Sequence, residues 1–274
     1  MTIKATCFKL MPVITYLNPE VFSMGNEDIE KQDPLQLLRA FTPARIGLGR
    51  TGSGIPLKAF QEFKLAHAHA RDAVYSELHV EELGVAMQQF NLPVLHLHSA
   101  AAYREQYLQR PDLGRKLDEA SAEEIKNYHS PCDVAIIIAD GLSATAVNNN
   151  TIPLLQLLVP MLNEAKLRLA PITLVKQGRV AIADEIGYKL GAKLSMILIG
   201  ERPGLSAADS VGAYITYAPK PGLTDESRNC VSNIRPQGLN SAAATKKIAY
   251  LIKEAIERKL SGITLKDNEG LLGY

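Results

Sequence analysis

Val134-Ala135-Ile136-Ile137-Ile138-Ala139 is an unbroken apolar run, largely β-branched, closed by Asp140-Gly141-Leu142-Ser143. Without polar alternation it predicts a strand buried on both faces, as in parallel sheets that carry helices on each side. A helical stretch follows in which Leu154, Leu155, Leu157, Leu158, Met161 and Leu162 crowd an apolar face, and Ser143 is placed to cap it. Ile172-Thr173-Leu174-Val175 reads as a second strand, closed by Gln177-Gly178-Arg179. Residues 180–190 read as a helix stopped by Gly191, and residues 194–199 as a third strand closed by Gly200-Glu201-Arg202-Pro203-Gly204. A fourth strand is expected over residues 213–217. The last helix places Ile248, Leu251, Ile252 and Ala255 at i, i+3, i+4 and i+7, with Asn240 or Ser241 as its cap and Gly262 as its stop. Strands alternating with helices predict an α/β fold. Its core would be a doubly wound, mostly parallel, Rossmann-like sheet over residues 130–274.

The front half has a different texture. Residues 1–40 read as a variable arm, with a polar, aperiodic segment over 25–34. Residues 41–129 read as a mainly helical domain. Leu35, Leu37, Leu38 and Phe41 start one short apolar face, and Leu57, Phe60, Phe63, Leu65 and Ala68 start another. Helices are also expected over residues 81–90 and 116–128, and an alternating strand over 92–98, with a loop at Arg110-Pro111-Asp112-Leu113-Gly114-Arg115.

Composition excludes several classes. Thirty Lys and Arg against 29 Asp and Glu leave a net charge of +1, which argues against unspecific binding to nucleic acid or an anionic membrane. Cys7, Cys132 and Cys230 form no CxxC pair, so neither a disulfide scaffold nor a cysteine zinc site is expected. The first residues lack a signal-peptide pattern, and no run of 18 apolar residues occurs. These features suggest a cytoplasmic protein.

In an open parallel sheet the ligand crevice lies beyond the carboxyl ends of the strands. Asp140-Gly141, Gln177-Gly178-Arg179-Val180 and Gly200-Glu201-Arg202 all fall at such exits, so a ligand is expected there. Each turn alone is ordinary; their convergence carries the argument. Gly47-Leu48-Gly49-Arg50-Thr51-Gly52 matches the dinucleotide pattern GxGxxG, with Asp72 at the expected 20-residue offset. That leaves a stand-alone NAD(P)-dependent oxidoreductase as an alternative, but Thr42-Pro43-Ala44-Arg45-Ile46 is a poor preceding strand. Arg45 and Arg50 would instead suit an anion-binding or partner-facing loop. His96 and His98 share one strand face without an evident third metal ligand, while His67 and His69 point to nearly opposite sides of a helix. No GxSxG, HExxH or GxxxxGK[ST] motif is present. Cys230 reads either as a small buried residue or as part of a ligand wall.

Five segments recur in the order and with the gaps of one family. They are Arg110-Pro-Asp-Leu-Gly-Arg115, Ala139-Asp-Gly-Leu-Ser-Ala144, Gln177-Gly-Arg-Val180, Gly200-Glu-Arg-Pro-Gly204 and Arg228-Asn-Cys-Val-Ser-Asn-Ile234. The chain resembles the small (light) subunit of ethanolamine ammonia-lyase from about Pro43 to Ile263. The resemblance implies an adenosylcobalamin-dependent enzyme that converts ethanolamine to acetaldehyde and ammonia. It implies a large (β/α)8-barrel subunit carrying the substrate site, a higher-order hetero-oligomer, and a small subunit holding the lower side of the cofactor. Val180, Glu201 and Cys230 are its implied cofactor contacts, and no catalytic or metal-ligating residue is expected in this chain. Asp140, Arg179 and Arg202 would face either cofactor or partner. No DxHxxG motif occurs and no histidine lies beyond His129, so the cofactor is expected base-on. A corrinoid-binding module without an attached enzyme is a further alternative. The bacterial cytoplasm, inside an ethanolamine-utilisation microcompartment, is the implied location.

Overall fold

A computed structural model describes residues 34–266. The arm over residues 1–33, Cys7 and the tail over 267–274 lie outside the described residues. The chain divides between Ala59 and Phe60 into two units. In the described part of the first, a 3-10 segment, Pro34–Phe41, is followed by irregular chain in which Arg39 donates to the carbonyls of Ile46 and Gly47, at 2.8 and 2.9 Å. Helix α1 (Leu57–Tyr75) carries the chain into the second unit.

The second unit is an α/β fold around a six-stranded mixed sheet. Its strands are β1 (Val94–His98), β2 (Cys132–Ala139), β3 (Ile172–Lys176), β4 (Ala192–Gly200), β5 (Val211–Tyr217) and β6 (Arg228–Ile234), in spatial order β1-β3-β2-β4-β5-β6. The helices are α2 (Val80–Met87), α3 (Arg104–Gln109), α4 (Glu119–Glu124), α5 (Ala144–Glu164), α6 (Ile182–Leu190) and α7 (Ser241–Arg258). Strand β1, from the mainly helical stretch, is an edge of this sheet, paired in parallel with β3.

Strands β1, β3, β2 and β4 are parallel, but β5 and β6 are each antiparallel to the strand before. The expected mostly parallel core is present in these four strands, but the sheet as a whole is mixed and does not complete a Rossmann-like order. The cause is the length and make-up of the connections. A parallel return needs a crossover of a dozen or more residues, usually helical. Residues 201–210, rich in Gly, Pro, Ser and Ala, provide only a short loop with a Gly204–Ala207 bridge, and residues 218–227 a loop with one 3-10 turn. Both connections are hairpins.

Local expectations at the helix ends hold in three places, Gly191 (φ 77°) ending α6 among them, and fail in one. Ser143 Oγ accepts from Ala146 N at 3.2 Å and caps α5; Asn240 Oδ1 accepts from Ala243 N at 3.0 Å and caps α7. Helix α7 ends instead with Lys259 in the left-handed region, φ 57°. Gly262 sits farther on, against the Glu226 backbone, where a side chain has no room.

Two apolar cores sandwich the sheet. One joins Ile136, Ile138, Leu174, Met196, Leu198, Ala213, Ile215 and Val231 to α2, α5 and α7. The other joins Leu95, Leu97, Ala135, Ile137, Val175, Ile197 and Ile199 to α6 and the segment around Ile125. The first contains residues of β5 and β6; the second ends at β4, with only Tyr214 of β5 packed on its margin.

Candidate functional site

The pleat brings three separate segments to that margin. Directly opposed residues on neighbouring strands share a face. Ile197 of β4 stands opposite Tyr214 of β5, and Tyr214 stands opposite Cys230 of β6. Ile199 stands opposite Gly212, and one pleat farther along the chain Glu201 continues the same face. Val180, just ahead of α6, packs against the same core. Glu201 and Cys230 are thus gathered beside Tyr214 on a strip at the edge of the second core, while Val180 packs against that core from the start of α6.

Glu201 is held by a backbone irregularity. Opposite Val211 and Ala213 the register of β6 slips by one residue, and Asn233 takes φ 58°. Such a bulge turns a backbone group out of the ladder. Asn233 N–H donates to Glu201 Oε2 at 3.1 Å, and the carboxylate lies over Gly212, where an added Cβ would stand 3.0 Å from Oε1. Cys230 is a free, exposed thiol. Burial raises its pKa, partly offset by the nearby Tyr214 hydroxyl and reinforced by the Glu201 carboxylate. Burial likewise raises the Tyr214 phenol, helped by Cys230 and Glu201. Both groups are held in their neutral forms at neutral pH.

The strip has firm borders. Below it, Arg228 of β6 donates to Asp184 of α6 at 3.0 Å, both side chains being 2% exposed. Above it, the exits of β2 and β3 are tied together. Asp140 accepts from Gln177 N at 2.8 Å and Gly178 N at 3.1 Å, with Arg104 at 3.8 Å. Gly141, at φ 58°, lies so close to the Gly200 backbone that a side chain would collide with it. Tyr107 of α3 donates its hydroxyl to Gly178 O at 3.1 Å, and the Arg179 guanidinium lies 4.2 Å over the Tyr107 ring. Asp140 and Arg179 therefore build the loop that leads to Val180; Arg202 is exposed.

Sequence reasoning missed β6, α3, Tyr107 and Tyr214. The strand signal in Arg228–Ile234 is blurred by the bulge, and α3 is six residues long. Tyr214 left one trace: it is the aromatic residue at an outward position in the alternation of Val211–Tyr217.

Other candidates are not assembled. No strand precedes Gly47–Gly52 among the described residues; Thr51 and Gly54 pair in a tight turn and α1 starts only at Leu57. The strand–loop–helix context of a dinucleotide fingerprint is absent there. His96 is exposed, His98 Nδ1 lies 2.7 Å from Ser99 O, and among the described residues no three His, Cys, Asp or Glu side chains gather to hold a metal. No helix of the described residues is long and apolar enough to cross a membrane.

Comparison with known proteins agrees with the motifs. The sequence model of the ethanolamine ammonia-lyase light chain (EutC) family matches residues 32–266. The chain is 50% identical over 248 residues to the ethanolamine ammonia-lyase small subunit of Azotobacter vinelandii, covering 89% of this chain and 92% of that protein. The small subunits of Pseudomonas paraeruginosa and Pseudomonas fluorescens are 50% and 49% identical over 244 and 248 residues, covering 88% and 89% of this chain and 89% and 90% of theirs.

Proposed function

The chain belongs to the ethanolamine ammonia-lyase light-chain family, and from that premise we propose that it is the cofactor-holding subunit of an adenosylcobalamin-dependent ethanolamine ammonia-lyase. The observation that supports this reading is the strip beside Tyr214 on which Glu201 and Cys230 share a face, with Val180 packed on the adjoining core. Its chemistry fits a corrinoid, a broad ring with amides around its rim. Val180 offers an apolar wall, Glu201 an acceptor for rim amides, and Cys230 a small, neutral surface that admits close packing. When bound, the cofactor supplies radical chemistry through its weak cobalt–carbon bond, while this chain grips and orients it.

The same strip is poorly equipped for acid–base work. Glu201 has one oxygen taken by Asn233 N–H, and Tyr214 and Cys230 resist ionisation. Conversion of ethanolamine to acetaldehyde and ammonia is accordingly assigned to a large subunit, a (β/α)8 barrel that closes over the cofactor within a higher-order hetero-oligomer. We place the complex in the bacterial cytoplasm, inside an ethanolamine-utilisation microcompartment.

The cofactor is proposed to bind base-on. His98, at the carboxyl end of β1, is four strands from β5, about 19 Å at ordinary strand spacing. His129 is tied to Lys189 O at 2.8 Å beyond the far end of α6. With histidine nitrogen labelled throughout the protein, the EPR splitting of the cob(II)alamin state should be unchanged; an altered splitting overturns base-on binding.

The decisive assay measures ethanolamine-dependent acetaldehyde release by the matching large subunit and adenosylcobalamin, with and without this chain. Activity should require the chain. Full activity without it, or none from a soluble complex of folded subunits, overturns the reading.

A further inference from the structure

Resting on the cofactor reading above, we propose that Tyr107 is a positioning residue of the cofactor site, fixing from inside the fold the turn Gln177-Gly178-Arg179 that carries Val180. The turn leaves β3 and runs to α6, and its three successive N–H groups are all spent within the chain. Gln177 N and Gly178 N donate to the two carboxylate oxygens of Asp140, and Arg179 N donates to Gly114 O at 2.7 Å. Consecutive amides ahead of a helix would otherwise suit an anion. Here a carboxylate of the chain itself takes two of them. The turn is closed as a phosphate cradle, and what it contributes to a ligand is the apolar Val180.

Tyr107 grips the same turn from its other side. It is 0% exposed, and its hydroxyl donates to Gly178 O at 3.1 Å, so Gly178 is held by both its N–H and its carbonyl. The Tyr107 backbone oxygen accepts from Arg179 Nη2 at 3.2 Å, and the guanidinium groups of Arg179 and Arg104 lie 4.2 and 4.7 Å over its ring. Arg104 donates onward to Gly141 O at 2.9 Å and to Gln177 Oε1 at 3.2 Å. Gln177 sits at φ 56°, a left-handed conformation that a non-glycine residue keeps only where its surroundings hold it. At Gly114 an added Cβ would stand 2.8 Å from Arg179 Cγ and 3.0 Å from the Tyr107 ring. Gly114, Gly141 and the turn belong to three of the five ordered motifs. Tyr107 belongs to none, yet it packs on the first, bonds the third and reaches the second through Arg104.

The hydroxyl separates positioning from packing, because a phenylalanine ring would fill the same buried space. The test uses Tyr107→Phe in the full chain, assembled with its large subunit. The adenosylcobalamin KM should rise about fivefold, the effect of one net hydrogen bond, with kcat unchanged. Deuterium exchange of the backbone over residues 177–180, followed by mass spectrometry, should speed up by a similar factor while α7 exchanges as before. A purely structural loss would lower the amount of active enzyme or speed exchange throughout, and leave KM in place. Arg104→Lys keeps a charge near Asp140 but loses the planar fork to Gly141 and Gln177, so it should move KM and exchange in the same direction. It also decides the matter should Tyr107→Phe not assemble. An unmoved KM, or equal acceleration in α7, overturns the role of Tyr107.

Cys230→Trp tests the cofactor reading itself, by placing bulk on the exposed strip, and should raise KM further than Tyr107→Phe does. If Cys230→Trp moves KM and Tyr107→Phe does not, the role of Tyr107 is overturned and the cofactor reading stands. If Cys230→Trp leaves KM unmoved, the cofactor site is misplaced and the role of Tyr107 falls with it.

Discussion

The two faces of the sheet are finished differently. On one face the core continues from β3 through β6, because α5, of 21 residues, and α7, of 18, lie across it. On the other, α6, of nine residues, and the α4 segment cover the parallel strands, and the core stops at β4. The difference follows from the connections. Each parallel crossover lays a helix on a face, whereas a hairpin delivers none. Two successive hairpins bring no helix of their own to the α6 side of β5 and β6, where α6 reaches only the Arg228 end, and α7 takes up their opposite face. The strip is a by-product of strand direction, and the candidate site sits on it.

If the strip has rigid borders while its own residues are dispensable for folding, substitutions should separate by location. Asp184→Ala should have the largest effect. It removes the buried partner of Arg228 and leaves only the exposed Asp225 carboxylate and Leu223 O to the guanidinium, and denaturant unfolding should show a loss of about 3 kcal/mol. A much smaller loss would mean that the lower border is soft. Leu155→Ala, on the fully covered face and itself 0% exposed, should remove about 3 kcal/mol by the same measurement. A value near zero would break the contrast between the faces.

Asp133 gives a control at the amino edge of β2, away from the strip. Burial alone would raise its pKa, but bonds from Lys193 Nζ at 2.8 Å and Arg168 N at 2.9 Å outweigh that and bring it to about 2. The folded pKa lies below the ordinary 3.8, so the stabilisation is present above about pH 4 and is lost as pH falls through about 2. Both cationic partners are exposed, so about 1 kcal/mol is expected. Asp133→Asn should abolish that part of the acid slope; an unchanged slope would exclude Asp133 as its source.

Glu201→Ala should have the smallest effect on the fold, under about 1 kcal/mol, because water can replace the carboxylate at the exposed Asn233 N–H. Apparent adenosylcobalamin affinity should nevertheless fall about tenfold, the scale of a hydrogen bond to a charged group. Unchanged affinity in a titration of the assembled enzyme would remove Glu201 from the site.

Much of this molecule is legible in residue patterns. The continuous apolar strands, the caps at Ser143 and Asn240 and the αL stop at Gly191 depend on neighbours within a few positions, so a linear reading reaches them. The strand exits near Val180 and Glu201 follow from the same local signals. Strand direction does not. Residues 213–217 read as a strand either way, and only the path of residues 201–210 turns them antiparallel. Asp140 illustrates the same limit: its motif marks a loop, but only the fold shows its carboxylate tying Gln177 and Gly178 to β2.

The sequence by itself determined the α/β class, the central strands, the local helix signals and, through five ordered motifs, the family. The tertiary structure decided which strands run backwards, where the second core ends and that Tyr214 stands beside Glu201 and Cys230. The physical reason is range. Burial pattern and capping are properties of a short stretch of chain, whereas pairing register and helix cover depend on where distant segments return, and residue alternation is the same for either direction of a strand.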